Sequence, residues 1–170
     1  MKQYSIKFKQ FIDLPIKDVF NFFSKPENLT LITPPRLQFK ILTSTPVAMH
    51  QGQSIDYVLT IMYVFKIHWT SIIEAYDKPN IFIDRQIKGP YSFWHHTHTF
   101  KTKGSGTIIT DKLIYGIPFG LIGRLINFID FPGAKNSSIF TAMFCADFFP
   151  AMSPSKQTNG VLLKFHILNI

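Results

Sequence analysis

Polar and apolar residues alternate along most of the first two thirds of the chain. In residues 3–11, for example, Tyr4, Ile6 and Phe8 share one face and polar residues occupy the other. A period of two is typical of a strand with one buried face. Similar segments, separated by turn sequences such as DKPN and KGSG, predict further strands over 37–43, 54–64, 66–77, 81–88, 91–101 and 107–115.

Apolar residues recur at helical spacing between the first two predicted strands. Ile16, Val19 and Phe20 would lie on one side of a helix, with Asp13 as its N-cap. The sequence SKPE at 24–27 has capping-box spacing and predicts a second short helix. A further helical segment is predicted over 118–131. The order of elements therefore indicates an α+β fold.

Six consecutive strands with short connections are expected to pair with their sequence neighbours in one antiparallel sheet. A sheet of this size twists and curls, so its concave face needs a cover. We expect the C-terminal helical segment to lie across that face. Any space left between helix and sheet would form a cavity suited to a ligand.

The composition fits a single domain with a large core. Apolar residues make up 46% of the 170 residues, and phenylalanine alone occurs 18 times, which favours an aromatic core or an aromatic-lined cavity. The net charge is +8, yet the basic residues are scattered and alternate with apolar ones. We interpret them as solvated strand faces and expect no nucleic-acid partner.

Cysteine content and hydropathy restrict the remaining classes. Cys145 is the single cysteine, so neither an intramolecular disulfide nor a multi-cysteine zinc site can form. The N-terminal residues alternate and lack the continuous apolar region of a signal peptide. No stretch reaches eighteen uninterrupted apolar residues, so stable membrane insertion is not expected. We therefore expect a cytoplasmic protein.

The character of the sequence changes after residue 131. Residues 132–170 contain only four charged side chains and an apolar run interrupted by Pro150. We interpret 1–131 as one domain and 132–170 as a divergent apolar tail that closes the same domain incompletely. An exposed apolar tail would also favour self-association.

The most specific sequence pattern lies between Phe82 and Phe100. It combines Asp84 and Gln86, the tripeptide GPY, and then Trp94, His96 and His98 at alternate positions. Together with LPIKDVFNFF, PENL and ITPP near the N-terminus, this pattern resembles the ligand-binding SRPBCC proteins of the START / Bet v 1-like superfamily. The resemblance covers residues 4 to about 125, and the tail departs from it.

This resemblance implies a helix-grip fold: a curved antiparallel sheet, two short helices after the first strand and a C-terminal helix over a cavity. It also implies a small hydrophobic or aromatic ligand, and it suggests no cofactor. Alternation on the predicted strands places the candidate ligand-binding residues on the concave face. They are Tyr57, Trp69, Asp84, Gln86, Trp94, His96, His98, Asp111 and Tyr115, and two bulky aromatics among them can sandwich a flat or apolar ligand.

Three other interpretations share these residues. Asp84 and the histidines can form a buried hydrogen-bond network that only stabilises the core. His96 or His98 beside Asp84 can act as the general base of a cyclase or hydrolase. The same three side chains can supply a two-histidine, one-carboxylate metal site, although H-x-H also arises from alternation by chance. From the sequence we expect ligand binding and no metal.

Overall fold

Eight antiparallel strands form one sheet in the computed structural model, which describes residues 2–33, 37–61, 64–118 and 165–166. They are β1 (Gln3–Ile12), β2 (Lys40–Ile41), β3 (Ser54–Ile61), β4 (Phe65–Asp77), β5 (Ile81–Lys88), β6 (Phe93–Lys103), β7 (Gly106–Gly116) and β8 (Phe165–His166). Their order across the sheet is β2-β3-β4-β5-β6-β7-β1-β8. The predicted α+β class and the pairing of sequence neighbours from β2 to β7 are confirmed.

Two short α-helices follow β1, as predicted. They are α1 (Ile16–Phe23) and α2 (Leu29–Ile32), with a 3-10 helix (Pro26–Asn28) immediately before α2. Phe20 of α1 is fully buried, and its ring contacts Phe82 of β5 and Phe100 of β6 edge to face, at 5.9 and 5.1 Å between centroids. We call the side of the sheet that contacts α1 the inner face.

Both predicted helix caps are wrong. The N-cap of α1 is Pro15 and has no side-chain hydrogen bond, because the Asp13 carboxylate instead accepts a hydrogen bond from the Ser105 hydroxyl at 3.0 Å. The 3-10 helix likewise lacks a side-chain cap, and the Glu27 carboxylate accepts from the backbone N–H of Val47 at 2.6 Å. Both acidic residues therefore tie the helical segment to distant loops.

The first strand after the helices is shorter than predicted. Only Lys40 and Ile41 pair with β3. The N–H groups of Leu42 and Thr43 both approach the carbonyl oxygen of Asp56, at 2.7 and 3.3 Å. Because two donors share one acceptor, the register of the ladder cannot continue past this point.

The C-terminal predictions fall almost entirely outside the described residues. This applies to the helix over 118–131 beyond Pro118, to the tail over 132–170 and to Cys145. The exception is β8, which pairs antiparallel with the end of β1. Within the part of the chain that the structure describes, no helix has the length and apolar character that a bilayer crossing requires.

Candidate functional site

A band of polar side chains crosses the inner face and separates two apolar clusters. One cluster contains Phe82 and Phe100 together with Phe20 of α1. The other contains Trp69 and Trp94, farther along the strands. The polar band between them consists of Asp84 on β5, His96 and His98 on β6, and Asp111 on β7. Polar groups at this depth require partners in one another or in a ligand.

Strand register brings these four residues together. Asp84 lies opposite His96 in the β5–β6 pair, and His98 lies opposite Asp111 in the β6–β7 pair. Because side chains on one face recur every second residue, each carboxylate is also diagonal to the second histidine. Acidic and basic groups therefore alternate around the polar band. His95, directly before His96 on β6, points to the opposite face of the sheet, where its Nε2 lies 3.8 Å from Glu74 Oε2.

His98 bridges the two carboxylates. Its Nδ1 lies 2.6 Å from Asp111 Oδ1, and its Nε2 lies 3.2 Å from Asp84 Oδ2. Ionised carboxylates only accept hydrogen bonds, so both ring nitrogens act as donors and the ring is an imidazolium. The ring also stacks on Phe82, with 4.3 Å between centroids. His98 is therefore a partly buried cation held from both sides.

The proton affinities of this bridge follow from its geometry. Burial by itself lowers the pKa of His98, but the hydrogen bonds to Asp111 and Asp84 outweigh this effect and raise it to about 9. For Asp84, burial favours the neutral acid, whereas the hydrogen bond from His98 favours the carboxylate and the net pKa is lowered. At neutral pH the His98 and Asp84 side chains therefore keep their charges.

His96 differs from its neighbour although both histidines lie on the same face. Burial and the positive charge of His98 lower its pKa to about 4, so the ring is neutral at neutral pH. Its nitrogens lie 3.7 Å from Asp84 Oδ2 and 3.8 Å from Asp111 Oδ1, beyond hydrogen-bond range. Among the described residues, buried His96 Nε2 has no hydrogen-bond partner.

The polar band forms one wall of a cavity between the inner face and the helices after β1. We call these helices, residues 16–32, the helical segment. The cavity has a volume of about 90 Å³, room for several water molecules or one compact ligand group. Most of its lining is apolar, including Phe23, Met49, Ile55 and Ile73. Of the nine predicted ligand-binding residues, seven line it: Tyr57, Trp69, Asp84, Trp94, His96, His98 and Asp111.

The aromatic residues form a single wall of this cavity. Trp69 and Trp94 contact each other edge to face at 5.0 Å between centroids, so no ligand fits between these two rings. Tyr57 stacks on the other side of Trp69 at 5.9 Å. The hydroxyl of Ser71 joins them, because it accepts from Trp69 Nε1 at 3.1 Å and bonds the Tyr57 hydroxyl at 3.0 Å.

Ser71 is a cavity residue that was not predicted from the sequence. It lies two residues after Trp69 on the same strand, so alternation alone would have placed it on the same face. Burial, followed by the nearby negative charge of Asp84, raises the pKa of Tyr57 well above its usual value. Tyr57 therefore remains a neutral hydrogen-bonding group at the edge of the site.

Gln86 and Tyr115 do not line the cavity. The Gln86 amide donates to the carbonyl oxygen of Tyr91 at 2.7 Å and accepts from its N–H at 3.3 Å, which holds the β5–β6 connection. A side chain at Gly89 would collide with this amide, because an added Cβ would lie 2.4 Å from Gln86 Oε1. Tyr115 is buried beneath Tyr91 and stacks on Tyr4 at 5.4 Å.

The catalytic and metal interpretations can be compared with this geometry. An effective general base needs a free lone pair and a pKa near the working pH, whereas His98 is doubly protonated and the pKa of His96 is low. Asp84, His96 and His98 do offer donor atoms within 4.8 Å of one another. A metal would have to replace the proton that joins His98 to Asp84, so we do not propose one.

Comparison with known proteins identifies the fold through structure alone. No family model matches the chain, and no curated protein matches it. Solved structures do match. The TTHA0849 protein of Thermus thermophilus is 17% identical with a TM-score of 0.56, covering 90% of this chain and 100% of its own.

Two further structures agree with this match. The major latex-like protein 151 of Panax ginseng is 14% identical over 73% of this chain and 89% of its own, with a TM-score of 0.54. Ara h 8.0201 is 10% identical over 89% and 99%, with a TM-score of 0.56. The fold is that of the Bet v 1-like, or SRPBCC, proteins. At identities of 10 to 17%, the fold is what this protein shares with the three structures, and its function must be argued from the site.

Proposed function

We propose that this protein binds a small hydrophobic or aromatic molecule in its central cavity, with the polar end of the molecule against His96. The observation that carries the proposal is the His–Asp band in the wall of an otherwise apolar cavity. Ligand sites typically combine an apolar lining with a few convergent polar groups. Bet v 1-like proteins usually bind small hydrophobic ligands, which agrees with this assignment.

The dimensions of the cavity restrict how the ligand is held. A volume of about 90 Å³ accommodates the polar end of a ligand and a short apolar segment. The remainder would extend toward the side lined by Phe22, Pro26 and Leu29 of the helical segment. A molecule with one polar end and an apolar remainder fits this arrangement.

Filling the cavity is expected to weaken binding at least tenfold without unfolding the protein. Met49 is half-buried and contacts both apolar clusters, so Met49→Trp would place an indole in the ligand space. We expect the neutral dye N-phenyl-1-naphthylamine to bind the unchanged protein at one equivalent and to bind Met49→Trp at least tenfold more weakly. Dye fluorescence during titration measures this effect.

Ala48→Trp is the matched control, because Ala48 is the exposed neighbour of Met49. It should leave the dye affinity within about twofold, because Ala48 does not line the cavity. It should also leave the stability of the fold unchanged, because substitutions of exposed residues rarely affect it. Urea unfolding of both variants would show that each remains folded. Equal dye affinity of Met49→Trp and the unchanged protein would contradict the proposed site.

A general-base enzyme in the same cavity is less well supported. The histidine that a carboxylate orients, His98, is the one whose nitrogens both carry protons. The histidine with an unpartnered nitrogen, His96, has a pKa far below neutrality. Both features suit recognition of a ligand better than proton abstraction.

A further inference from the structure

The polar band carries an unbalanced charge. Asp84 and Asp111 contribute two negative charges and the His98 imidazolium contributes one positive charge. His96 is neutral and does not compensate the difference. The side chains of all four residues are at most one fifth exposed, so solvent screens this net negative charge only weakly.

His96 presents the point of contact for a ligand. Its side chain is 10% exposed, and its Nε2 is buried without a hydrogen-bond partner in the described part of the chain. Such a nitrogen is costly to leave unpaired. It lies beside Asp111, so a group that pairs with it also meets the negative field of the band.

The other charged and titratable groups around the cavity do not cancel this field. Tyr57 is neutral and its hydroxyl is bonded to Ser71. Lys25 is the one cationic side chain besides His98 among the described lining residues, and it is exposed and lies on the helical segment, not on the strands that carry the band. Outside the band, Lys25 is therefore the described lining side chain that would stabilise an acidic ligand group.

We infer that the cavity selects molecules whose inner polar end is a cation or a hydrogen-bond donor, such as an aliphatic amine, and rejects carboxylic acids. This inference rests on the proposed function and names its ligand class. An amine would donate to His96 or Asp111 and neutralise the net charge of the band. A carboxylate of the same shape would lie beside the carboxylates of Asp84 and Asp111, which is unfavourable in a weakly screened site.

A matched series of slender ligands tests the inference. 4-Phenylbutylamine, 4-phenylbutanol and 4-phenylbutyrate share the same apolar body and differ in the polar end. Displacement of N-phenyl-1-naphthylamine at neutral pH should rank the amine first and the acid last, with at least a tenfold difference between them. In Asp111→Asn, which keeps the shape and removes one negative charge, this difference should shrink to about threefold or less.

The outcomes separate the inference from the proposed function. If neither the dye nor any of the three compounds binds, the proposed function fails. If the dye binds and the acid displaces it as well as the amine does, the inference is overturned and the function stands. A preference for the amine that survives in Asp111→Asn would also overturn it, because the band would not be its source.

Lys25→Gln provides a second test with the same displacement series, which applies even if Asp111→Asn does not fold. The preference for the amine should persist or increase in this variant, because Lys25 is the one cationic side chain outside the polar band among the described lining residues. Loss of the preference would place the polar end of the ligand at the helical segment and contradict the inferred orientation.

Discussion

The free energy of unfolding is expected to be highest near pH 6.5 and to fall on both sides. The pKa of His98 is raised from 6.5 to about 9 in the folded protein, so its contribution is complete below pH 6.5 and is lost as the pH rises through 9. The pKa of His96 is lowered from 6.5 to about 4, so its contribution is complete above pH 6.5 and is lost as the pH falls toward 4.

Because one pKa unit corresponds to about 1.4 kcal/mol, each arm of this profile amounts to roughly 3 kcal/mol. Asp84 adds to the loss at the acidic end, since its pKa is lowered in the folded state. Urea unfolding followed by tryptophan fluorescence at pH values from 4 to 9 would measure both arms. A free energy that stays constant between pH 6.5 and 9 would show that His98 is not a stabilised cation.

Replacement of His98 by leucine is expected to destabilise the fold by about 3–5 kcal/mol at pH 6.5, because it leaves two carboxylates that are at most one fifth exposed without their shared cation. The alkaline arm of the stability profile should disappear at the same time. His95→Leu is the matched control: it lies on the same strand but faces outward and is one quarter exposed. We expect it to change the unfolding free energy by about 0.5 kcal/mol or less.

A second substitution separates repulsion between carboxylates from loss of packing. In His98→Leu/Asp111→Asn, one of the two negative charges is also removed, so the double variant should be more stable than His98→Leu alone. Equal or lower stability of the double variant would mean that the imidazole ring acts through its volume. The same urea measurements on the two variants decide between these explanations.

Much of the site could be predicted from alternation and from the family resemblance. Alternation placed His96 and His98 on one face of their strand and His95 on the other. The short hairpin through GPY leaves little freedom in register, so Asp84 on the preceding strand could be placed beside the two histidines. Strand periodicity identifies the face of a residue but not the direction in which a long side chain extends. Gln86 shares the face of Asp84, yet its amide turns back onto the β5–β6 connection.

The two histidines show a second limit of sequence reasoning. Their positions are equivalent in the pattern, but one is a cation and the other is neutral with an unpartnered nitrogen. This difference depends on distances of 2.6 and 3.7 Å to neighbouring carboxylates, which no spacing along the chain determines. Likewise, the sequence indicated an aromatic wall, but edge-to-face packing of Trp69 on Trp94 is a property of the assembled sheet.

The most direct measurement is a long-range ¹H–¹⁵N spectrum of the histidine rings at pH 7, recorded with and without 4-phenylbutylamine. The free protein should show His98 with two protonated ring nitrogens, and His96 with one bare nitrogen. Addition of the amine should shift the resonance of the bare His96 nitrogen and leave His95 unchanged. Saturating binding of the amine with no change at His96 would contradict the proposed placement of the ligand against the His–Asp band.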